Sequence, residues 1–239
     1  MNTSLSVPVV AHPELPIVGR SEKFPVRRIY CVGRNYLEHI REMKEADERD
    51  PPFFFQKPSD ALVSDGQVPY PAFTEDFQFE CELVVAIGAA ASNVTADAAL
   101  DCVFGYAVGF DMTRRDRQRE SFKRGLPWEV GKSFDHSSPC GAVHPVALCG
   151  HPFTGALELS VNGKLRQQTV LQKMIWNVPE IITQLSRQYR LMPGDLVYTG
   201  TPDGVGAVLP GDRLVGTIAA LEPLVVDILP PLTLDPVHR

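Results

Sequence analysis

The chain has no long basic run, and its formal net charge is −6. That excludes nucleic acid as the expected partner, because a phosphate backbone is met by clustered lysine and arginine. It has no Cys-x-x-Cys pair. The five cysteines stand at 31, 81, 102, 140 and 149, odd in number and scattered, so they make no disulfide framework and suit a reducing compartment. Long apolar runs are missing too. The longest, Leu83 to Ala91, falls far short of the roughly 20 residues that cross a bilayer. The first twenty residues hold Pro8, Pro13 and Pro16 and lack a basic stretch followed by an apolar one, so no secretory signal is expected. These absences lead to the expectation of a cytoplasmic protein with no membrane partner. What is present is ordinary: 44% apolar and 22% charged residues over 239 positions, enough for one substantial core.

The stretch that stands out is Phe77 to Gly88. It reads as one strand entering a core, with Glu80 and Glu82 on one face and Cys81 on the other. Two carboxylates on one face of a burying strand repel each other and lose hydration. A cation offsets that, and oxygen donors suit a hard ion such as Mg²⁺ or Mn²⁺. The competing reading is two solvated glutamates at a strand end.

Around it, Val26 to Val32 reads as a strand ended by Gly33. Asn35 is placed to cap a helix running to about Arg49, stopped by Pro51-Pro52. Tyr36, Ile40 and Met43 form its apolar stripe, with His39 and Glu42 as neighbours at its edge. Phe53-Phe54-Phe55 predicts a short buried strand. Gly105 to Phe110 predicts another, which delivers Asp111 at its end. Thr113-x-x-Asp116 resembles a capping box opening a helix that Gly125 closes, with Arg115 and Gln118 on one face. Lys132 lies among small and apolar residues, a setting in which a lysine is often only a strand-edge residue. Asn162-Gly163 signals a two-residue hairpin. Pro179 to Tyr189 has the period of an amphipathic helix. Two Pro-Gly-Asp turns open later strands, and Glu222 to Leu229 is expected to close the sheet. Residues 1–26 read as an N-terminal arm or small subdomain, 27–229 as one catalytic domain without an internal linker, and 230–239 as a loose tail.

Glu80, Glu82 and a strand-end Asp111 give three carboxylates, which leave about three positions open on a six-coordinate ion. Here the chain resembles a known family. The segments Tyr30 to Tyr36, His39-x-x-Glu42, Gln56-Lys57-Pro58, Glu80-x-Glu82, Asp111 to Gln118, Lys132-Ser133-Phe134 and Thr199 to Gly206 look, in order, like the fumarylacetoacetate hydrolase family. The match is to its acylpyruvate and fumarylpyruvate hydrolase branch.

The resemblance implies an α+β, β-rich fold: mixed β-sheets rolled into a sandwich-like roll with a few short helices, as a homodimer. It implies that Glu80, Glu82 and Asp111 bind Mg²⁺ or Mn²⁺. Arg34, Arg115, Gln118, Lys132 and Thr201 would hold a small anionic 2-oxo acid. His39 and Glu42 would activate water, with Lys132 adding charge at the catalytic centre. The implied reaction is hydrolysis of the C–C bond of a 3-acylpyruvate, fumarylpyruvate foremost, in aromatic-compound catabolism. Oxaloacetate decarboxylation, or isomerisation or hydration of an oxo acid, is the alternative on the same scaffold. A non-catalytic metal-binding protein is the alternative from another class.

Overall fold

The computed structural model describes residues 11–37 and 50–232. The expected helix beyond residue 37, with His39 and Glu42, lies outside the described residues. So do residues 1–10 and the end of the tail from 233.

Two mixed sheets carry most of the chain, as the family resemblance implies. One has six strands in the order His144–Pro145, Val103–Phe110, Cys81–Ile87, Asp195–Tyr198, Arg28–Gly33, Phe53–Lys57. Only Asp195–Tyr198 and Arg28–Gly33 run parallel. The other has five strands in the order Lys164–Val170, Ala156–Val161, Arg213–Ile218, Leu224–Leu229, Gln67–Pro69, with the last pair parallel. Cys81, Leu83, Val85 and Ile87 pack toward Leu157, Leu159 and Leu214 of the second sheet. Val84 and Ala86 point the other way, into a cluster with Ile29, Leu196 and the N-terminal residues Leu15 and Phe24. Burial on both faces explains why Cys81–Ile87 is almost continuously apolar. Among the described residues, no helix is long and apolar enough to cross a membrane.

The local turn chemistry agrees with the pattern. Asn162 and Gly163 both have positive φ, 51° and 75°, as a two-residue hairpin turn requires. The helix Val178–Gln188 buries Ile181, Ile182 and Leu185. It opens on a capping box in which Asn177 accepts from the Glu180 N–H and Glu180 accepts in return from the Asn177 N–H, both at 3.0 Å.

Four expectations are corrected. Phe77 to Gly88 is not one strand. It breaks at Glu80, because Phe77–Phe79 pairs with Thr113–Arg114 and Gly206–Ala207 in a small third sheet while Cys81–Ile87 enters the six-stranded one. Asn35, whose expected helix lies outside the described residues, also has distant partners: its side chain donates to the carbonyls of Thr199 (2.7 Å) and Trp176 (2.9 Å) and accepts from the Trp176 N–H at 2.7 Å. Thr113 opens no capping box. It lies in a strand, and the helix Arg115–Lys123 starts at Arg114 with no side-chain cap. Lys132 ends a helical turn, Glu129–Lys132, and is buried, where a strand edge was the simplest reading. Leu224–Leu229 does not close its sheet, since Gln67–Pro69 lies outside it.

Asp116, freed from capping, ties its helix to the loop before Phe77. Its carboxylate accepts from the Thr74 hydroxyl at 2.5 Å, the Glu75 N–H at 3.1 Å and the Arg117 N–H at 2.9 Å. Burial works to raise this carboxyl, but those hydrogen bonds prevail and hold it at about 2. A depressed carboxyl stabilises the fold above its unfolded value of 3.8 and stops doing so as pH falls through about 2. Asp116→Asn is therefore expected to be less stable than wild type above pH ~4, with the two denaturation curves converging near pH 2. A gap that stays constant down to pH 2 would assign the difference to packing instead.

Candidate metal centre and active site

Three strand ends meet where the sheets join. Glu80 occupies the break between two strands, Glu82 lies two residues into Cys81–Ile87, and Asp111 follows Val103–Phe110. The Asp111 N–H donates to the Glu80 carbonyl at 2.8 Å, so backbone pairing sets their spacing. The carboxylates of Glu80, Glu82 and Asp111 each offer an oxygen within 4.8 Å of the others, and all three residues are buried.

Cations surround two of them. Arg115 pairs through its terminal nitrogen with Glu80, while its other nitrogens donate to Gln78 (2.8 Å) and Gln118 (2.6 Å). Lys132 Nζ donates to Glu80, Asp111 and the Thr113 hydroxyl, each at 2.8 Å, which uses all three of its N–H groups. Burial opposes the Lys132 charge, but Asp111 and Glu80 outweigh it and hold its pKa above the ordinary value. Lys57 Nζ lies 2.7 Å from Asp111 and donates to the Ser137 and Met112 carbonyls at 2.7 and 3.0 Å.

Glu82 differs. Among the described residues it makes no ion pair, and its partner is the Gly200 N–H at 2.6 Å. Burial, then Asp111, then Glu80 push its carboxyl well above the usual range. A buried carboxylate with two carboxylate neighbours and no cation of its own is the unmet charge that a divalent ion balances. An all-oxygen donor set suits hard Mg²⁺ or Mn²⁺ over zinc. The residues present therefore fit the expected cofactor.

The centre opens into a cavity of about 370 Å³. Phe53, Phe55 and Trp128 form an aromatic wall, with ring centroids of 5.3 and 5.7 Å from Trp128. A Cβ at Gly33 would lie 2.0 Å from the Phe53 ring, so any larger residue there would push the ring from its place in the wall. The Arg34 guanidinium lies over that ring, 5.3 Å from its centroid. Gly200, with φ of 93°, lets its N–H reach Glu82, and a Cβ there would meet Asn35 at 2.7 Å.

Residues 28–228 match the model of the fumarylacetoacetate (FAA) hydrolase C-terminal family. The chain belongs to the fumarylacetoacetate hydrolase family. It is 42% identical to the fumarylpyruvate hydrolase of Ralstonia sp over 179 residues, 74% of this chain and 93% of that one. It is equally 42% identical to the mitochondrial oxaloacetate tautomerase of Homo sapiens, over 82% of this chain and 88% of that one. The crystal structure of fumarylpyruvate hydrolase from Pseudomonas aeruginosa, in complex with Mn²⁺ and pyruvate, superposes with a TM-score of 0.92 at 46% identity. It covers 95% of this chain and 99% of that one.

Within this fumarylacetoacetate hydrolase frame, the structure brings Glu80, Glu82, Asp111, Arg34, Arg115, Gln118, Lys132 and Thr201 to one cavity. His39 and Glu42 lie outside the described residues. The Thr201 hydroxyl donates to the Cys81 carbonyl and accepts from Gln167, both at 2.9 Å, so it pins the Gly-rich loop to the metal strand. Sequence reasoning gave no role to Lys57, Gln78 or Gln167. Lys57 had a signal: along Phe53–Lys57 it shares a face with Phe53 and Phe55, which line the cavity. Gln167 sits opposite the hairpin turn in sequence and reaches the Cys81 N–H at 2.9 Å only through the fold.

Lys57→Met is expected to cost about 2–4 kcal/mol, because it leaves two buried carbonyls unpaired and takes from Asp111 one of its two ammonium partners, Lys132 remaining. Urea denaturation in EDTA measures this without the metal's contribution. A loss below about 1 kcal/mol would show that the pair is not needed by the fold.

Proposed function

We propose that this enzyme hydrolyses the C–C bond of a 3-acylpyruvate with Mg²⁺ or Mn²⁺, and that fumarylpyruvate, yielding fumarate and pyruvate, is its substrate. The observation that carries this is the three-carboxylate centre with an uncompensated Glu82, at the base of a cavity walled by arginine and lysine. The Mn²⁺ and pyruvate of the Pseudomonas aeruginosa structure support it. The reading includes a cytoplasmic homodimer acting in aromatic-compound catabolism.

Glu80, Glu82 and Asp111 hold the ion. When bound, it supplies Lewis-acid stabilisation where negative charge develops. Arg115 and Lys132 do not wait for substrate. Their donors fix both oxygens of Glu80 and one of Asp111, so they orient ligands and leave positive potential at the base of the cavity. Gln118 is held by Arg115 through its amide oxygen, which leaves the amide NH₂ to donate to a substrate oxygen. His39, oriented by Glu42, takes a proton from water. The hydroxide adds to the distal acyl carbonyl. The bond to the methylene carbon then breaks, its electron pair leaves as the pyruvate enolate, and protonation at carbon completes pyruvate.

The equal identity to the human oxaloacetate tautomerase favours a second reading, enolisation or decarboxylation of oxaloacetate at the same centre. Incubation with fumarylpyruvate, acetylpyruvate and oxaloacetate, each with Mg²⁺ and with EDTA, separates the two. Pyruvate release from the acylpyruvates, abolished by EDTA, is expected. Activity on oxaloacetate alone would replace the first reading with the second.

A further inference from the structure

The cavity segregates its charges. Among the described residues that line it, the three acids belong to the metal centre at the base. Above them the described charged residues of the wall are cations, and three come from one helix. Along Arg115–Lys123, the residues Arg115, Arg119 and Lys123 recur every four positions, so they lie one above another on a single face. At 1.5 Å per residue, Arg119 stands about 6 Å and Lys123 about 12 Å along the axis from Arg115. The opposite face holds Arg117, Glu120 and Arg124, which pair with each other at 3.0 and 3.6 Å. The cavity-facing cations are less committed. Arg119 donates from one nitrogen to Asp76 at 3.0 Å in a largely exposed pair, and among the described residues Lys123 makes no ion pair. An exposed ion pair of that kind is weak and is easily exchanged for another carboxylate.

We propose that Arg119 and Lys123 are specificity-determining residues that bind a second carboxylate at the far end of the substrate. The proposal rests on the acylpyruvate reading for the placement of the near end. A seven-carbon 2-oxo acid in extended form spans about 7–8 Å between terminal carbons, given C–C bonds of about 1.5 Å. With its 2-oxo acid end at the metal centre, its far carboxylate comes level with Arg119 and within reach of the flexible Lys123 ammonium. Oxaloacetate, with four carbons, ends below them. The stripe therefore selects for long dianions over short ones and over long monoanions. Phe122, on the same face between Arg119 and Lys123, supplies apolar surface for the chain that joins the two ends.

The test is binding to the Mg²⁺-loaded enzyme, which needs no turnover. Calorimetry compares 2-oxoheptanedioate with 2-oxoheptanoate, which match in length and differ in the far carboxylate. Wild type is expected to bind the dianion at least about tenfold more tightly, and the Arg119→Gln/Lys123→Gln double variant to bring the ratio within about twofold. Arg124→Gln removes the same charge from the opposite face and is expected to keep the wild-type ratio. Thermal melting of each loaded variant checks that it is folded. A wild-type ratio near one, or a ratio the double variant leaves intact, overturns the proposal. So does an equal loss in Arg124→Gln, which would assign the preference to diffuse charge. Pyruvate release from acylpyruvates is scored separately. If it fails while the binding ratio holds, the hydrolase reading falls and the dianion site stands.

Discussion

Glu82→Gln is expected to abolish turnover while leaving the metal-free protein as stable as wild type or more so. Glu82 is the buried carboxylate without a cation, pressed by burial and by two carboxylate neighbours. Glutamine keeps its shape and can still accept from the Gly200 N–H, and it removes the repulsion. In the metal-free state nothing is lost. With metal the sign reverses, because a ligand that binds only the folded state stabilises it by mass action, and that gain shrinks when affinity falls. Lewis-acid stabilisation is worth several kcal/mol, so the rate on acylpyruvate should fall by at least about 10³-fold. Melting curves with and without Mg²⁺ give the second readout. Wild-type turnover in Glu82→Gln, or an undiminished Mg²⁺-dependent rise in Tm, would remove Glu82 from the ligand set. Activity of the wild type after exhaustive chelation would sink the metal mechanism as a whole.

His39→Ala separates hydrolysis from decarboxylation. Hydrolysis must deprotonate a water. Decarboxylation of a chelated oxo acid needs only an electron sink. Removing a general base costs about 10² to 10⁴ in rate, so acylpyruvate cleavage should fall in that span while decarboxylation of oxaloacetate falls far less. Glu42→Gln keeps the shape of the pair and loses the charge that supports imidazolium, so it should fall between wild type and His39→Ala. Mg²⁺ affinity should hold in both, since neither residue is a ligand. Equal losses on both substrates would recast His39 as a positioning residue. No loss on either would withdraw the pair from the mechanism.

The parts of this site that were legible in the sequence are those governed by local rules. Strand alternation put Glu80 and Glu82 on one face, and a strand ending at Phe110 delivered Asp111. Those two rules reach the three carboxylates without the fold. The two-residue Asn-Gly hairpin and the amphipathic helix near its start at Val178 were readable for the same reason. What was not legible depends on partners far along the chain. Asn35 is an excellent cap in isolation, yet its amide joins carbonyls more than a hundred residues away. Thr113 and Asp116 have capping-box spacing, but Lys132 and the Thr74 loop compete for them and win. The break at Glu80 has no local signal, since Phe77 to Gly88 is strand-like throughout and the change of sheet is decided by which strands arrive beside it. Read locally, Lys132 was a strand-edge lysine, because no window of neighbours reveals the two carboxylates that meet it.

The pinning of the carboxylates decides which ions the enzyme tolerates. Both oxygens of Glu80 are tied to Arg115 and Lys132, both of Asp111 to Lys132 and Lys57, and Glu82 is tethered to the Gly200 amide. The Glu80 and Asp111 backbones are themselves hydrogen-bonded. Moving any one of these oxygens disturbs at least one buried contact. Mg²⁺ takes oxygens at about 2.0–2.1 Å, whereas Ca²⁺ asks for about 2.3–2.6 Å and up to eight of them. Enlarging the cage for Ca²⁺ would stretch several buried ion pairs at once, so Ca²⁺ is expected to bind more weakly than Mg²⁺, as titration of the metal-free protein with each ion would measure.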